Sequence, residues 1–169
     1  RRLLERALAI REAHLGSDHP DTAQSLNNLA GILRAQSDLV DARRLYARAL
    51  AIREAHLGAD HPITAWTLNN LAGVLHDQGD LDAARRLHER ALAMCEVRLG
   101  ADHPNTAWTL NNLAGVLHNQ GDLANAYRLL KRALAIHEAR LGSDHPTTAH
   151  SLNNLGRVMS EQGELADAR

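Results

Sequence analysis

The chain has 169 residues, 44% of them hydrophobic, with no phenylalanine and 2% aromatic side chains. That length suits one ordinary domain or one short repeat array, and a core of Leu, Ala, Ile and Val calls for closely spaced helices. A net charge of −1 with both signs interspersed excludes a basic nucleic-acid footprint and a polybasic membrane patch. No apolar run is long enough to span a bilayer. The opening "RRLLERALAI" has a glutamate where a signal peptide needs an unbroken apolar stretch. Cys95 is the one cysteine, so no internal disulfide forms, and a reducing, cytoplasmic setting is expected.

In chain order, residues 1–15 read as the remainder of a helix. Asp-His-Pro at 18–20 then opens a first helix near 20–36, because proline suits the first helical position and bars its predecessor from helical geometry. Leu26, Leu29, Ala30 and Leu33 follow with the spacing of one helical face. "QSD" at 36–38 ends it, and Asp38 is the expected N-cap of a second helix over 39–57 with Ala42, Leu45, Tyr46, Ala49 and Leu50 inward. Gly58 is expected to close that helix in left-handed geometry. The same signals predict first helices near 62–78, 104–120 and 146–162, and second helices near 81–99 and 123–141, entered at Asp80 and Asp122.

Three markers fix the period. "DHP" stands at 18, 60, 102 and 144, "LNNL" at 26, 68, 110 and 152, and "RALA" at 6, 48, 90 and 132, all 42 residues apart. Between 61–102 and 103–144, 31 of 42 positions are identical. Such phase-locked repetition signals a repeat architecture. The chain is therefore expected to form one array: a helix remnant at 1–15, units 19–58, 61–100 and 103–142, and a partial unit 145–169. It is expected to be a segment of a longer protein, with apolar ends prone to end-to-end self-association.

The asparagines of "LNNL" are conspicuous, since asparagine and glycine each cost about 0.5 to 1 kcal/mol relative to alanine within a helix. On a helical wheel Leu26, Leu29, Ala30 and Leu33 share one side, while Asn27, Gly31 and Arg34 lie opposite, with Asn28 at the margin. A side-chain amide both donates and accepts, so it can pair with a peptide main chain whatever the peptide's own side chains. A nearby glycine lets another backbone approach. The alternative is that the second asparagine of each pair bonds to the adjacent helix and sets repeat geometry, the glycine permits close helix packing, and Trp66 and Trp108 pack on the end of the preceding second helix rather than on a ligand.

Leu26, Leu29, Ala30 and Leu33, followed by Ala42 and Tyr46, resemble the tetratricopeptide pattern W-x₂-L-G-x₂-Y…A-x₃-F, with Leu and with Tyr46, His88 and Leu130 in place of its large aromatics. The 42-residue unit with "LNNLA", "QGD" and "LGxDHP" is similar to the tetratricopeptide repeats of kinesin light chains, of nephrocystin-like proteins and of bacterial and fungal nucleotide-dependent signalling proteins. The resemblance covers the whole chain. It implies an all-α, right-handed superhelical solenoid of antiparallel helix pairs, with first helices lining a concave groove that receives an extended peptide of a partner protein. The implied peptide-binding residues are Asn27, Asn28, Arg34, Trp66, Asn69, Asn70, His76, Trp108, Asn111, Asn112, His118, Asn153 and Asn154. Rival readings are a structural spacer and the repeat arm of a larger signalling NTPase.

No chemistry of catalysis is legible. His14 with His19, and His56 with His61, flank turns rather than share a helix face as paired zinc ligands would. The histidines of "DHP" read as structural residues at the helix entries. No phosphate loop or activated nucleophile appears, so no enzyme activity, cofactor or metal is expected. Surface runs such as "ARRLHER" read as solvated helix faces.

Overall fold

The structure, a computed structural model, describes the backbone of residues 1–167 and the side chains as far as residue 163. Regular structure among the described residues is entirely helical: α1 (Arg2–Leu15), α2 (Pro20–Ala35), α3 (Leu39–Leu57), α4 (Pro62–Asp77), α5 (Leu81–Arg98), α6 (Pro104–Asn119), α7 (Leu123–Leu141) and α8 (Pro146–Asp167). None of them is long and apolar enough to cross a membrane.

The repeated markers are local stops and starts. In "DHP" the histidine is the N-cap: His61 Nδ1 accepts the Ile63 N–H at 3.1 Å and His103 Nδ1 that of Asn105 at 3.1 Å, with His19 and His145 acting alike. Each satisfies one of the four backbone donors that a helix start leaves open. Two residues after the proline a buried threonine hydroxyl turns back to the preceding glycine carbonyl, as from Thr64 to Gly58 at 3.0 Å and from Thr148 to Gly142 at 2.8 Å. Gly58 and Gly142 hold φ of 93° and 98° with ψ of 157° and 158°. This corrects the left-handed helical geometry expected there, and it is a region open in practice to glycine alone. Asp80 and Asp122 cap their helices through Ala83 N and Asn125 N at 3.2 Å, whereas Asp38 holds the same place without a side-chain bond. The last helix runs on to Asp167 rather than ending near 162.

The chain divides into two compact units, Arg1–Arg90 and Ala91–Arg169, with α5 crossing the division. In the first, α2 packs on α1, α3 and α4. Its core joins Leu26, Leu29 and Leu33 to Ala42, Leu45, Tyr46 and Ala49. In the second, α6 packs on α7 and α8, with Leu113, Leu117, Leu130, Leu155 and Val158 in one cluster and Leu110 and Ile136 in another. The alanines between them are fully buried, and their small side chains let helix axes approach closely. Each buried leucine contributes about 2 kcal/mol of apolar transfer.

The arginine of "RALA" clips neighbouring second helices together. Arg48 meets Glu12 at 2.6 Å and Arg90 meets Glu54 at 2.7 Å in the first unit, and Arg132 meets Glu96 at 2.6 Å in the second. Arg90 lies within "ARRLHER", so that run is more than a solvated face. These half-exposed pairs are each worth less than about 1 kcal/mol and serve register more than stability. On the first and last helices, repeat positions buried elsewhere are bare. Leu152 and Met159 are exposed, whereas Leu26 and Leu33 in the same repeat places are buried, and Leu3 and Ile10 are exposed where Leu45 and Ile52 are buried.

Candidate functional site

The two asparagines of each pair have separate fates. Asn27, Asn69 and Asn111 are 8%, 3% and 5% exposed, which corrects their placement on the open side of the wheel. At 100° per residue the buried positions of α2 run from Ser25 through Leu26 to Asn27, roughly 200° of the circumference. A helix with one packing partner buries a stripe of about 100° or somewhat more, but α2 is covered by α1, α3 and α4 together. The buried amides bond within the protein. Asn27 Oδ1 accepts from Asn70 Nδ2 at 3.3 Å, and Asn69 Oδ1 accepts from His88 Nδ1 at 2.8 Å. Asn111 Nδ2 donates to Ser151 Oγ at 2.8 Å and to the Ala107 carbonyl at 3.3 Å. Asn153 is exposed, and among the described residues no further first helix lies against it.

The second asparagines form the outer set. Asn28 is exposed, and Asn70, Asn112 and Asn154 are half-buried. In the first unit they stand with Gln24 and Trp66, which is 47% exposed. In the second they stand with half-buried Trp108 and with His150, whose Nε2 lies 3.2 Å from Asn154 Nδ2. Two of the charged or titratable residues expected to bind peptide are already paired to the adjacent first helix. Arg34 reaches Asp77 at 2.6 Å, and His118 Nε2 meets Glu161 at 2.7 Å. His76 lies 3.6 Å from Asp77. The helix glycines follow suit. A Cβ on Gly73 would come within 2.5 Å of the Arg34 guanidinium, so this glycine makes room for that ion pair, while Gly115 faces open space.

The tetratricopeptide repeat family model matches residues 1–55, 24–96, 63–122 and 106–169, which together span the chain. The chain belongs to the tetratricopeptide repeat family. Among solved structures it is similar to the kinesin light chain-like protein of Podosopora anserina with nearly identical TPR-like repeats, at 28% identity and a TM-score of 0.81 over 99% of this chain and 79% of that one. It is also similar to BtubC (BKLC) of P. vanneervenii, at 25% identity and a TM-score of 0.83, covering 99% of this chain and 66% of that one. The apo form of RapI, at 19% identity and a TM-score of 0.79 over 94% of this chain and 57% of that one, shares the fold. A comparison with curated proteins finds no match. A tetratricopeptide array is a protein-interaction scaffold and ordinarily non-catalytic. Among the described residues no group of three or more His, Cys, Asp or Glu is placed to hold a metal ion.

Within this tetratricopeptide array one polar position escaped the sequence reading. Arg11, Arg53, Cys95 and His137 occupy the same place on successive second helices, and each meets the hydroxyl that precedes "LNNL". Arg11 bonds Ser25 Oγ at 2.9 Å, Arg53 bonds Thr67 Oγ1, Cys95 Sγ lies 3.9 Å from Thr109 Oγ1, and His137 Nδ1 lies 2.8 Å from Ser151 Oγ. The available signal was the Ser or Thr kept in all four copies beside an otherwise apolar helix face. Ser151 Oγ thus joins His137 Nδ1 to Asn111 Nδ2, while the buried His137 Nε2 has no partner in hydrogen-bonding geometry among the described residues. Burial pushes the His137 pKa down against the opposing pull of the Pro104 carbonyl, and the nearby His145 and His150 push the same way as burial. His88 is held lower still, at about 3, first by burial and then by the positive charge of His76 and Arg34.

Proposed function

We propose that the array binds an extended peptide segment of a partner protein along the outer faces of its first helices. The observation that supports this reading is the run of outer amides beside exposed aromatic surface, Asn28, Trp66 and Asn70 in the first unit and Trp108, Asn112 and Asn154 in the second. Asn70, Asn112 and the open Gly115 all lower helix propensity, and the protein's own packing accounts only for part of this, through the Asn70 bond to Asn27. An amide holds main chain by donating and accepting, and tryptophan supplies the buried area typical of binding hot spots. The lone Cys95 supports a reducing, cytoplasmic setting for this activity.

The inner and outer amides separate the test. With a partner peptide obtained by affinity capture and mapping, Asn70→Ala with Asn112→Ala is expected to weaken binding about tenfold, some 1.4 kcal/mol, while thermal stability changes little because the helix propensity gained offsets the lost bond to Asn27. Asn69→Ala with Asn111→Ala is expected to lower stability by about 1 to 3 kcal/mol, because His88 and Ser151 lose buried partners, while the folded protein keeps its affinity. Calorimetry that found the outer pair without effect on affinity would remove the reading.

A second mode of association is supported by the bare repeat positions. Leu152 and Met159 on α8 and Leu3 and Ile10 on α1 are the places that internal repeats cover with one another. Copies of the chain are therefore expected to stack end to end. Light scattering should show mass rising with concentration, and Leu152→Glu should suppress it. Concentration-independent mass for both proteins would exclude stacking.

A further inference from the structure

Arg53 is 3% exposed, and among the described residues no carboxylate is one of its partners. Its guanidinium donates through Nη1 to Thr67 Oγ1 and toward the Ile63 carbonyl at 3.5 Å, and through Nη2 to Gln24 Oε1 at 2.7 Å. Gln24 Nε2 then donates to Asn28 Oδ1 at 2.8 Å. The chain of bonds thus leads from a buried cation to the exposed face of α2. A guanidinium has five donors and no acceptor, so the Gln24 amide is held with its oxygen inward and its nitrogen outward. That nitrogen in turn claims the Asn28 oxygen, which leaves the Asn28 NH2 group at the surface without a partner among the described residues.

We infer that Arg53 is a positioning residue: through Gln24 it fixes Asn28 as a hydrogen-bond donor, so this place on the face takes an acceptor oxygen of a partner peptide, a main-chain carbonyl or a carboxylate. The inference rests on the peptide-binding reading for its ligand, but the donor polarity belongs to the unliganded protein. The buried charge strengthens the inner bond from Arg53 to Gln24, and the exposed Gln24–Asn28 bond carries the orientation outward. Asn70 is held differently, since one proton of its Nδ2 goes to Asn27 Oδ1 and its oxygen is not claimed by a glutamine, so the two outer amides of this unit do not offer the same groups. The device is particular to this repeat. Cys95 and His137 stand in the place of Arg53 in the next two copies, and Trp66 and Trp108 in the place of Gln24.

The test follows the side-chain NH2 signals of Asn28 in the ¹⁵N-labelled chain during titration with three probes. N,N-dimethylacetamide offers a neutral carbonyl and no donor, acetate offers a carboxylate, and methylammonium offers donors only. The expected result is a shift with both acceptors and none with methylammonium, the larger acceptor response telling carbonyl from carboxylate. In Arg53→Cys, a side chain that Cys95 shows to fit this place, the preference for acceptors should be lost while the circular dichroism spectrum is kept. Gln24→Met leaves Arg53 on Thr67, cuts the relay, and should lose the preference as well, which decides the matter if the cysteine variant fails to fold. The inference is overturned if wild-type Asn28 responds to methylammonium as to the acceptors, if it responds to no probe, or if the folded variants keep the wild-type preference. An Asn28→Ala variant with full affinity for a captured peptide would count against the peptide-binding reading alone.

Discussion

Acidification from pH 7 toward pH 4 is expected to destabilise the first unit strongly, and His88→Leu is expected to abolish most of that sensitivity. His88 lies buried on α5 with Nδ1 bonded to Asn69 Oδ1, and its pKa is held near 3 by burial and by the positive charge of His76 and Arg34. An unfolded histidine titrates near 6.5. Between those values the unfolded chain binds the proton and the native one does not, so stability is full above about pH 6.5, falls as pH drops, and levels off near 3. The full span corresponds to at most about 5 kcal/mol, at 1.36 kcal/mol per unit.

The variant isolates this effect from carboxylates that titrate in the same window. Leucine is already the occupant of this repeat place at Leu130, where it is buried and the facing Asn111 keeps an unbonded Oδ1. At pH 7 the substitution exchanges one hydrogen bond for apolar burial, so the neutral-pH change is expected to be small, about 1 to 2 kcal/mol. Urea titrations followed by circular dichroism at several pH values measure the difference between the two proteins. Parallel pH profiles for wild type and His88→Leu would refute the assignment.

Leu110→Ala is expected to cost about 3 kcal/mol, and Leu152→Ala less than about 1 kcal/mol. The two leucines occupy the same place in the repeat, each opening an "LNNL". Leu110 is 0% exposed and packs with Ala107, Ala133 and Ile136, so truncation leaves a cavity between α6 and α7. Leu152 is 46% exposed on α8 and leaves none. Thermal melts of the two variants, compared at one concentration so that end-to-end stacking does not intrude, should differ by several degrees. Equal melting points would mean that Leu152 is covered in solution.

Much of the fold was legible because the signals that build it are local. A proline at the first helical position, a histidine bonding two residues ahead and a glycine with positive φ all act within one turn, and each returns every 42 residues. Misreadings arose where a contact comes from a neighbouring repeat. Asn27 stands at the rim of the face of α2 that α4 covers, and its partner Asn70 lies 43 positions on. Arg34 stood free on the wheel, yet it crosses Gly73 to reach Asp77 at the same separation. Arg53 gave no warning at all, because nothing in its own helix announces that Thr67 and Gln24 will enclose it.

From the sequence alone came the helix pairs, their period, their caps and the small-residue core, since hydrophobic periodicity and capping chemistry depend on residues a few positions apart. The tertiary structure decided which amide of each pair is sealed and which is open, and which charges are engaged and which reach the surface. The physical reason is the width of the buried arc. One partner helix covers about a third of a helix's circumference, three partners cover more than half, and the residues at the margin change sides when the neighbouring repeat docks.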